Sequence, residues 1–246
     1  KTPDRLNERQ FARWCMLYCR AADKLFKDML YTEQLDRALA WYKNHGTAEQ
    51  RAWMGLYLGR SYVKDKLFIP AMKAYSDALS LAKEKYLYDV AGYICSYMAD
   101  LYTYTGQRSE ERRKFEEAAE FFKQAGNERS YAFALRDVAK TWAFDDSLSL
   151  ALHYMLIADS VITRFQDLRG ISSISNGLGN IYDLMGDVEK ARAYYSRSLS
   201  SDTMDQVPSY LALSDLYYNE SLLDSARYYL ALATGPSLNP YTSIDC

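Results

Sequence analysis

The sequence predicts an all-α protein, a solenoid of antiparallel helix pairs about six hairpins long. The main observation is a pattern of small and aromatic residues that returns at a nearly constant interval along the chain. A second is that the 246 residues include only five prolines, which favours long helices. A third is that no segment alternates apolar and polar residues between turn signals, as the strands of a hairpin do.

The repeated pattern begins with a small residue, and an aromatic residue follows three positions later. A second small residue comes nine positions after the aromatic, then a large apolar residue four further on, then a last small residue three after that. Only Glu111 breaks the pattern, where the other copies have alanine. The leading small residues are Gly59, Ala99, Ala139, Gly179 and Ser214, at intervals of 40, 40, 40 and 35 residues.

This spacing fits two helices packed closely against each other. A small residue on the first helix lets the second helix approach, and the aromatic fills the space beside that contact. One hairpin cannot bury its own apolar face, so neighbouring hairpins must stack to complete the core. Four glycines are expected at helix ends, where a left-handed backbone favours glycine: Gly106, Gly126, Gly170 and Gly186.

The pattern resembles the tetratricopeptide repeat over about residues 48 to 234, and most closely in Leu178-Gly179-Asn180-Ile181-Tyr182 with the turn Met185-Gly186-Asp187. That resemblance implies a right-handed superhelical solenoid. The family's period is about 34 residues, whereas three steps here are 40. The extra residues, such as 83–89, are expected to lengthen the helices.

We therefore predict one solenoid domain over residues 1–246. Its first hairpin, 5–44, is atypical because its first helix lacks the motif. The predicted repeats are 48–85, 87–125, 128–164, 167–202 and 205–234, and 235–246 is expected to begin a further, truncated repeat.

Composition argues against several classes of function. The formal net charge of −2 and the pI of about 5.8 argue against nucleic-acid binding through this segment. No apolar run is long enough to insert into a membrane. Four scattered cysteines and two histidines give no metal-ligand spacing, and Gly177-x-Gly179 follows no strand, as a nucleotide loop would. We expect no cofactor, no metal site and no catalytic residues.

The tetratricopeptide resemblance implies that the first helices line a concave groove. The polar and aromatic residues predicted to face that groove are Arg60, Lys64, Tyr104, Arg136, Lys140, Asn176, Asn180 and Asp183. Arg136–Lys140 and Asn176–Asn180 are each spaced i to i+4, so each pair shares a helix face. They resemble the carboxylate-binding groove of family members that capture peptide C-termini, while the alternative is that they are only solvated polar residues.

The sequence thus favours a non-catalytic scaffold that holds a protein or peptide ligand in the groove. Its overall similarity is to the N-terminal repeat region of bacterial regulators, which implies a ligand- or partner-sensing role in the cell envelope or periplasm. The alternative is a cytoplasmic, peptide-responsive switch that controls an attached DNA-binding domain. The sequence is compatible with a homo-oligomer and does not identify the ligand.

Overall fold

Helices form nearly all of the described part of the chain. The computed structural model describes residues 6–201 and 206–235, and within these ranges it contains twelve α-helices and no strand. The helices are α1 Glu8–Lys24, α2 Thr32–His45, α3 Ala48–Lys64, α4 Phe68–Glu84, α5 Tyr88–Thr105, α6 Arg108–Gln124, α7 Glu128–Phe144, α8 Leu148–Arg164, α9 Leu168–Leu184, α10 Val188–Ser201, α11 Val207–Asn219 and α12 Leu223–Thr234.

Each odd-numbered helix packs against the even-numbered helix that follows it, which gives six hairpins in the described residues. The predicted fold class, an α-α solenoid of about six hairpins, is confirmed. The chain divides into two compact units, one up to residue 127 with α1–α6 and one from residue 128 with α7–α12. The single domain over 1–246 stays a prediction, and the further repeat expected at 235–246 lies outside the described residues except for Gly235.

Helix length explains the 40-residue step. The helices from α3 to α9 have 17 or 18 residues, and two or three residues join each to the next. A 34-residue period with the same turns would leave helices of about 14 residues. The extra residues therefore extend the helices, as the spacing predicted, and the helix starts recur at 48, 88, 128 and 168.

The turns recur as regularly as the helices. A left-handed residue occurs once in every turn from α3 to α10, at intervals of 20 residues: Lys66, Tyr86, Gly106, Gly126, Asp146, Gln166 and Gly186. In most of these turns the next N–H donates to a carbonyl five residues back, as Leu67 does to Tyr62 at 2.8 Å, which closes the helix end. Gly170 is an exception to the expectation, because it lies in the first turn of α9 without a left-handed backbone.

Gly170 is needed for a different reason, namely close packing. A Cβ at this position would collide with the side chain of Ile162 from α8. The same reason explains the leading glycines of two repeats. A Cβ at Gly59 would collide with the ring of Tyr75, and one at Gly179 with the ring of Tyr195.

Two helices of the first unit, α1 and α3, carry matching N-terminal caps. In α1, the Asn7 side chain accepts from the Gln10 N–H at 2.9 Å, and the Gln10 side chain accepts from the Asn7 N–H at 3.2 Å. Thr47 and Gln50 form the same reciprocal pair at the start of α3. These capping boxes satisfy N–H groups that a helix leaves without partners, so they fix where α1 and α3 begin.

A prediction follows from the left-handed turn residues. Replacing Gln166, which is exposed and has φ of 51°, with glycine should stabilise the protein by about 0.5–1 kcal/mol, because the left-handed backbone costs most residues about 1–2 kcal/mol. Gly126→Ala is the matched control, since a Cβ there meets nothing within 4 Å. It should destabilise by a similar amount. Urea unfolding measures both, and two changes of the same sign would contradict the explanation.

A second prediction concerns the contact of Gly179 with Tyr195. Gly179→Ala should destabilise by about 1–2 kcal/mol, because overpacking costs about 1–3 kcal/mol and exceeds what alanine gains in helix propensity. The neighbouring repeat has Ala139 and Met155 at the equivalent positions. Tyr195→Met should therefore recover most of the loss in the double variant. If the double variant loses as much free energy of unfolding in urea as the two single variants together, the residues are not coupled.

Candidate functional site

The first unit contains an open cavity of about 900 Å³ on the side of α3 and α5. Three of the predicted groove residues, Arg60, Lys64 and Tyr104, line this cavity. The other residues that line it come from the α1–α2 connection, from α3 and the turn after it, from α4 and from α5: Asp28, Met29, Val63, Lys66, Phe68, Tyr75, Tyr97, Asp100, Leu101 and Thr103. The structure thus brings together the predicted residues of the first unit.

Arg60 is held by two contacts inside this cavity. Its guanidinium donates to the carboxylate of Asp23 on α1 and lies 4.6 Å from the centre of the Tyr97 ring. Its side chain is only 14% exposed. Arg60 therefore ties α1, α3 and α5 together, and its charge is already balanced before any ligand binds.

Lys64 and Lys66 lie at the mouth of the cavity. The Lys64 ammonium is 2.7 Å from the carboxylate of Asp28, and this hydrogen bond raises the pKa of Lys64. Because both side chains are about half exposed, the pair is well hydrated and a ligand carboxylate can compete for it. Lys66 has no ion-pair partner within residues 6–201 and 206–235.

Aromatic side chains form the rim. Tyr104 is 72% exposed and stacks on Phe68, with 6.2 Å between the ring centres and 11° between the planes. Sequence reasoning missed Phe68 and Tyr97. Tyr97 had a signal, because it lies seven residues before Tyr104, two helical turns away on the same face. Phe68 had none, since it starts α4 and meets Tyr104 only after folding.

In the second unit, Arg136 and Lys140 lie on α7 on either side of Asp137. Arg136 donates to both oxygens of Asp137 at 2.9 and 3.0 Å and to the Ser173 hydroxyl at 2.9 Å. Lys140 lies 3.4 Å from the same carboxylate. Asp137 directly follows Arg136 in the chain, but sequence reasoning overlooked it. Any ligand carboxylate at this pair must compete with Asp137.

Asn176, Asn180 and Asp183 follow along α9. Asn176 donates to the Ser209 hydroxyl on α11 at 3.1 Å, and Asn180 accepts from the Tyr195 hydroxyl at 2.8 Å. Burial, and then the nearby charge of Asp215, raise the pKa of Asp183. The Arg136–Ser173 bond joins α7 to α9, so the two predicted i, i+4 pairs do lie on neighbouring helices. Whether any of the eight residues binds a ligand stays a prediction.

The described part of the chain contains three cysteines. Cys15, Cys19 and Cys95 are buried and not in disulfides, and burial raises the pKa of Cys15 to about 11 and of Cys95 to about 12. Such thiols behave as small apolar side chains. Across residues 6–201 and 206–235 there is no cluster of three or more His, Cys, Asp or Glu able to hold a metal ion. None of the described helices is long and apolar enough to cross a membrane.

Comparisons with known proteins bear on the fold. No protein-family model and no curated protein matches the sequence. Among solved structures, the chain is similar to BtubC (BKLC) from P. vanneervenii, with 19% identity, 96% of this chain and 97% of that one covered, and a TM-score of 0.68. The fold is tetratricopeptide-like.

Two further structures were solved with their ligands. One is a Rap protein complexed with competence and sporulation factor, at 16% identity and a TM-score of 0.68, with 93% of this chain and 65% of that one covered. The other is NprR in complex with its cognate peptide NprX, at 18% identity and a TM-score of 0.65, with 93% and 67% covered. This chain therefore spans about two thirds of the length of each.

The Asp183–Asp215 interaction gives a third prediction. A raised carboxyl pKa means that folding disfavours the charged form. The protonated Asp183 carboxyl therefore contributes to stability at low pH, and this contribution is lost as pH rises through the pKa of Asp183 in the folded protein. Asp215→Asn should lower the pKa of Asp183, although burial will keep it above its ordinary value. It should also increase stability at pH near 7 more than at pH near 3.

Carboxyl NMR titration and urea unfolding at the two pH values measure these effects. Asp224→Asn is the control, because Asp224 is exposed on α12 of the same unit and is not among the causes of the Asp183 shift. An unchanged Asp183 titration in Asp215→Asn would remove Asp215 as a cause.

Proposed function

We propose that this chain is a non-catalytic scaffold that binds a peptide or protein segment, as the ligand- or partner-sensing region of a larger bacterial regulator. The observation that carries the proposal is the open cavity of the first unit, which combines exposed stacked aromatics with lysines at its mouth. The tetratricopeptide-like fold supports it, since a solved protein of similar fold, NprR, binds a cognate peptide.

The cavity chemistry favours a peptide with an apolar or aromatic side chain next to an acidic group. That side chain would cover Tyr104 and Phe68, which otherwise leave apolar surface in water. The acidic group, either a side chain or a C-terminal carboxylate, would lie at Lys66 and Lys64. Arg60 would position the wall of the cavity through Asp23 and Tyr97 rather than bind the ligand directly.

The free energies of the single contacts indicate that such a ligand must be several residues long. Covering about 150 Å² of aromatic surface contributes about 4 kcal/mol, and a charge-assisted hydrogen bond contributes about 1.5–3 kcal/mol. Micromolar binding requires about 8 kcal/mol after the cost of ordering the peptide has been met. One cavity therefore gives weak binding, and an extended peptide needs further contacts.

The alternative function is a cytoplasmic, peptide-responsive switch that controls an attached DNA-binding domain. It is favoured by one of the comparisons, because NprR, described as a quorum sensor, was solved both without ligand and with its peptide. The two proposals share the same peptide site and differ in compartment and in the domain that follows. The sequence of the full-length gene product separates them: a membrane span supports an envelope sensor, and an adjacent DNA-binding domain without a span supports the switch.

A fourth prediction tests the cavity with peptides selected from a random library against the wild-type protein. Tyr104→Ala should weaken binding of the selected peptides by about tenfold or more, since losing one aromatic contact costs at least about 1.4 kcal/mol. Tyr86→Ala is the matched control, because Tyr86 is 74% exposed but does not line the cavity. Isothermal titration calorimetry gives both affinities.

Thermal unfolding of the two variants should stay close to wild type, because both tyrosines are exposed. The proposal for this cavity fails if no peptide is selected, or if Tyr104→Ala and Tyr86→Ala bind the selected peptides as tightly as wild type. Equal losses in both variants would place the contact outside the cavity.

A further inference from the structure

The solvent face of α1 carries a row of positive charges. Arg9, Arg13, Arg20 and Lys24 are all exposed and lie on one side of the helix, and we call this row the basic ridge. It extends over about 22 Å along the helix axis, at 1.5 Å per residue. Leu17, which is 57% exposed, lies in its middle.

The acidic residues of α1 do not balance the ridge. Glu8 bonds to Arg37 on α2, and Asp23 bonds to Arg60 on α3. Within residues 6–201 and 206–235, none of the four ridge cations forms an ion pair. The ridge is thus a concentration of positive charge on a chain whose formal net charge is −2.

The arrangement is unfavourable for a face that is only solvated. Arg9–Arg13 and Arg20–Lys24 are like charges spaced i to i+4, and such pairs destabilise a helix. On a solvated face in the same unit, by contrast, a cation is paired with carboxylates. On α6, Arg113 bonds to both Glu110 and Glu117, at 2.5 Å from the latter. The contrast indicates that the ridge charges have a use other than solvation.

We propose that the basic ridge docks an acidic segment of a partner protein. Three of its four cations are arginines, whose planar guanidinium binds carboxylates with two parallel hydrogen bonds. Leu17 offers an apolar contact in the centre of the charged row, where such an interface excludes water. This surface lies on α1, whereas the proposed peptide cavity lies beside α3 and α5, and the inference does not depend on that cavity.

Two other anionic partners fit the ridge less well. A helix that lies in a membrane interface buries an apolar face among the lipids, but the apolar face of α1 is already buried in the protein core through residues such as Phe11, Met16 and Cys19. Nucleic-acid binders neutralise about 6–10 phosphates, whereas the ridge has four cations on a chain with a net negative charge.

The test compares the double variant Arg13→Glu with Arg20→Glu against the control Lys43→Glu with Lys73→Glu. The control lysines are exposed on α2 and α4 and have no ion pair in the described residues, so both variants change the formal charge equally. The probe is fluorescein-labelled poly-L-glutamate of about 20 residues, long enough to span the ridge, and the readout is fluorescence anisotropy. The ridge variant should bind about tenfold or more weakly and the control variant less than about twofold.

Hydrogen exchange with and without the probe should show added protection on α1 alone. The ridge variant should also unfold about 2 °C higher than wild type, because it places a carboxylate four residues from Arg9 and from Lys24. That result separates lost docking from lost folding. The ridge variant should still bind the library-selected peptides whose affinity depends on Tyr104, which separates this surface from the proposed peptide site.

Three results would overturn the proposal. The first is that polyglutamate fails to bind the wild-type protein. The second is that binding falls equally in both variants, so that it depends only on net charge. The third is tighter ridge-dependent binding of a DNA duplex or of phosphatidylserine vesicles than of polyglutamate, which would assign the surface to another class of partner.

Discussion

The contact between a small residue on the first helix of a hairpin and a large side chain on the second determines how closely the two helices pack. In two repeats the small residue is glycine and the large one tyrosine, as with Gly59 and Tyr75, and the ring occupies the space a Cβ would need. Where the leading residue is alanine, as at Ala139, the position of the tyrosine carries methionine or phenylalanine. The volumes are therefore matched in the hairpins of Tyr75, Phe115, Met155 and Tyr195, whose large side chains are buried, as close packing requires.

This contact, together with a constant helix length, fixes which residues can act together. Residues 40 positions apart occupy equivalent places on successive first helices. A side chain at position 64 and one at position 104 therefore end neighbouring first helices at the same level, and Lys64 and Tyr104 line one cavity. The functional face of the first unit is thus a consequence of the repeat period, while its chemistry depends on residues that the packing leaves free to vary.

Much of the fold could be predicted from the sequence because it depends on local periodicity. The hairpins, the 40-residue step and the longer helices all follow from spacing. The ion pairs of the candidate site could not be predicted. Asp23 and Asp28 lie at the end of α1 and in its connection to α2, where no repeat pattern applies, and only tertiary packing brings them to Arg60 and Lys64. The positive φ of Gln166 did have a signal, because Gln166 lies 40 residues after Gly126 and 20 before Gly186, where the repeat places a left-handed turn residue.

The ion pairs of the candidate site also limit how much the charged groups of a ligand can add to its affinity. Arg60, Lys64 and Arg136 each have a carboxylate partner, at Asp23, Asp28 and Asp137. A ligand carboxylate would exchange one ion pair for another, and an exchange of this kind contributes little net free energy. The stacked pair of Phe68 and Tyr104 has no such internal substitute, because a ring left in water gains by being covered. Apolar side chains of a ligand would therefore determine its affinity in the first unit, and its charges would determine its orientation.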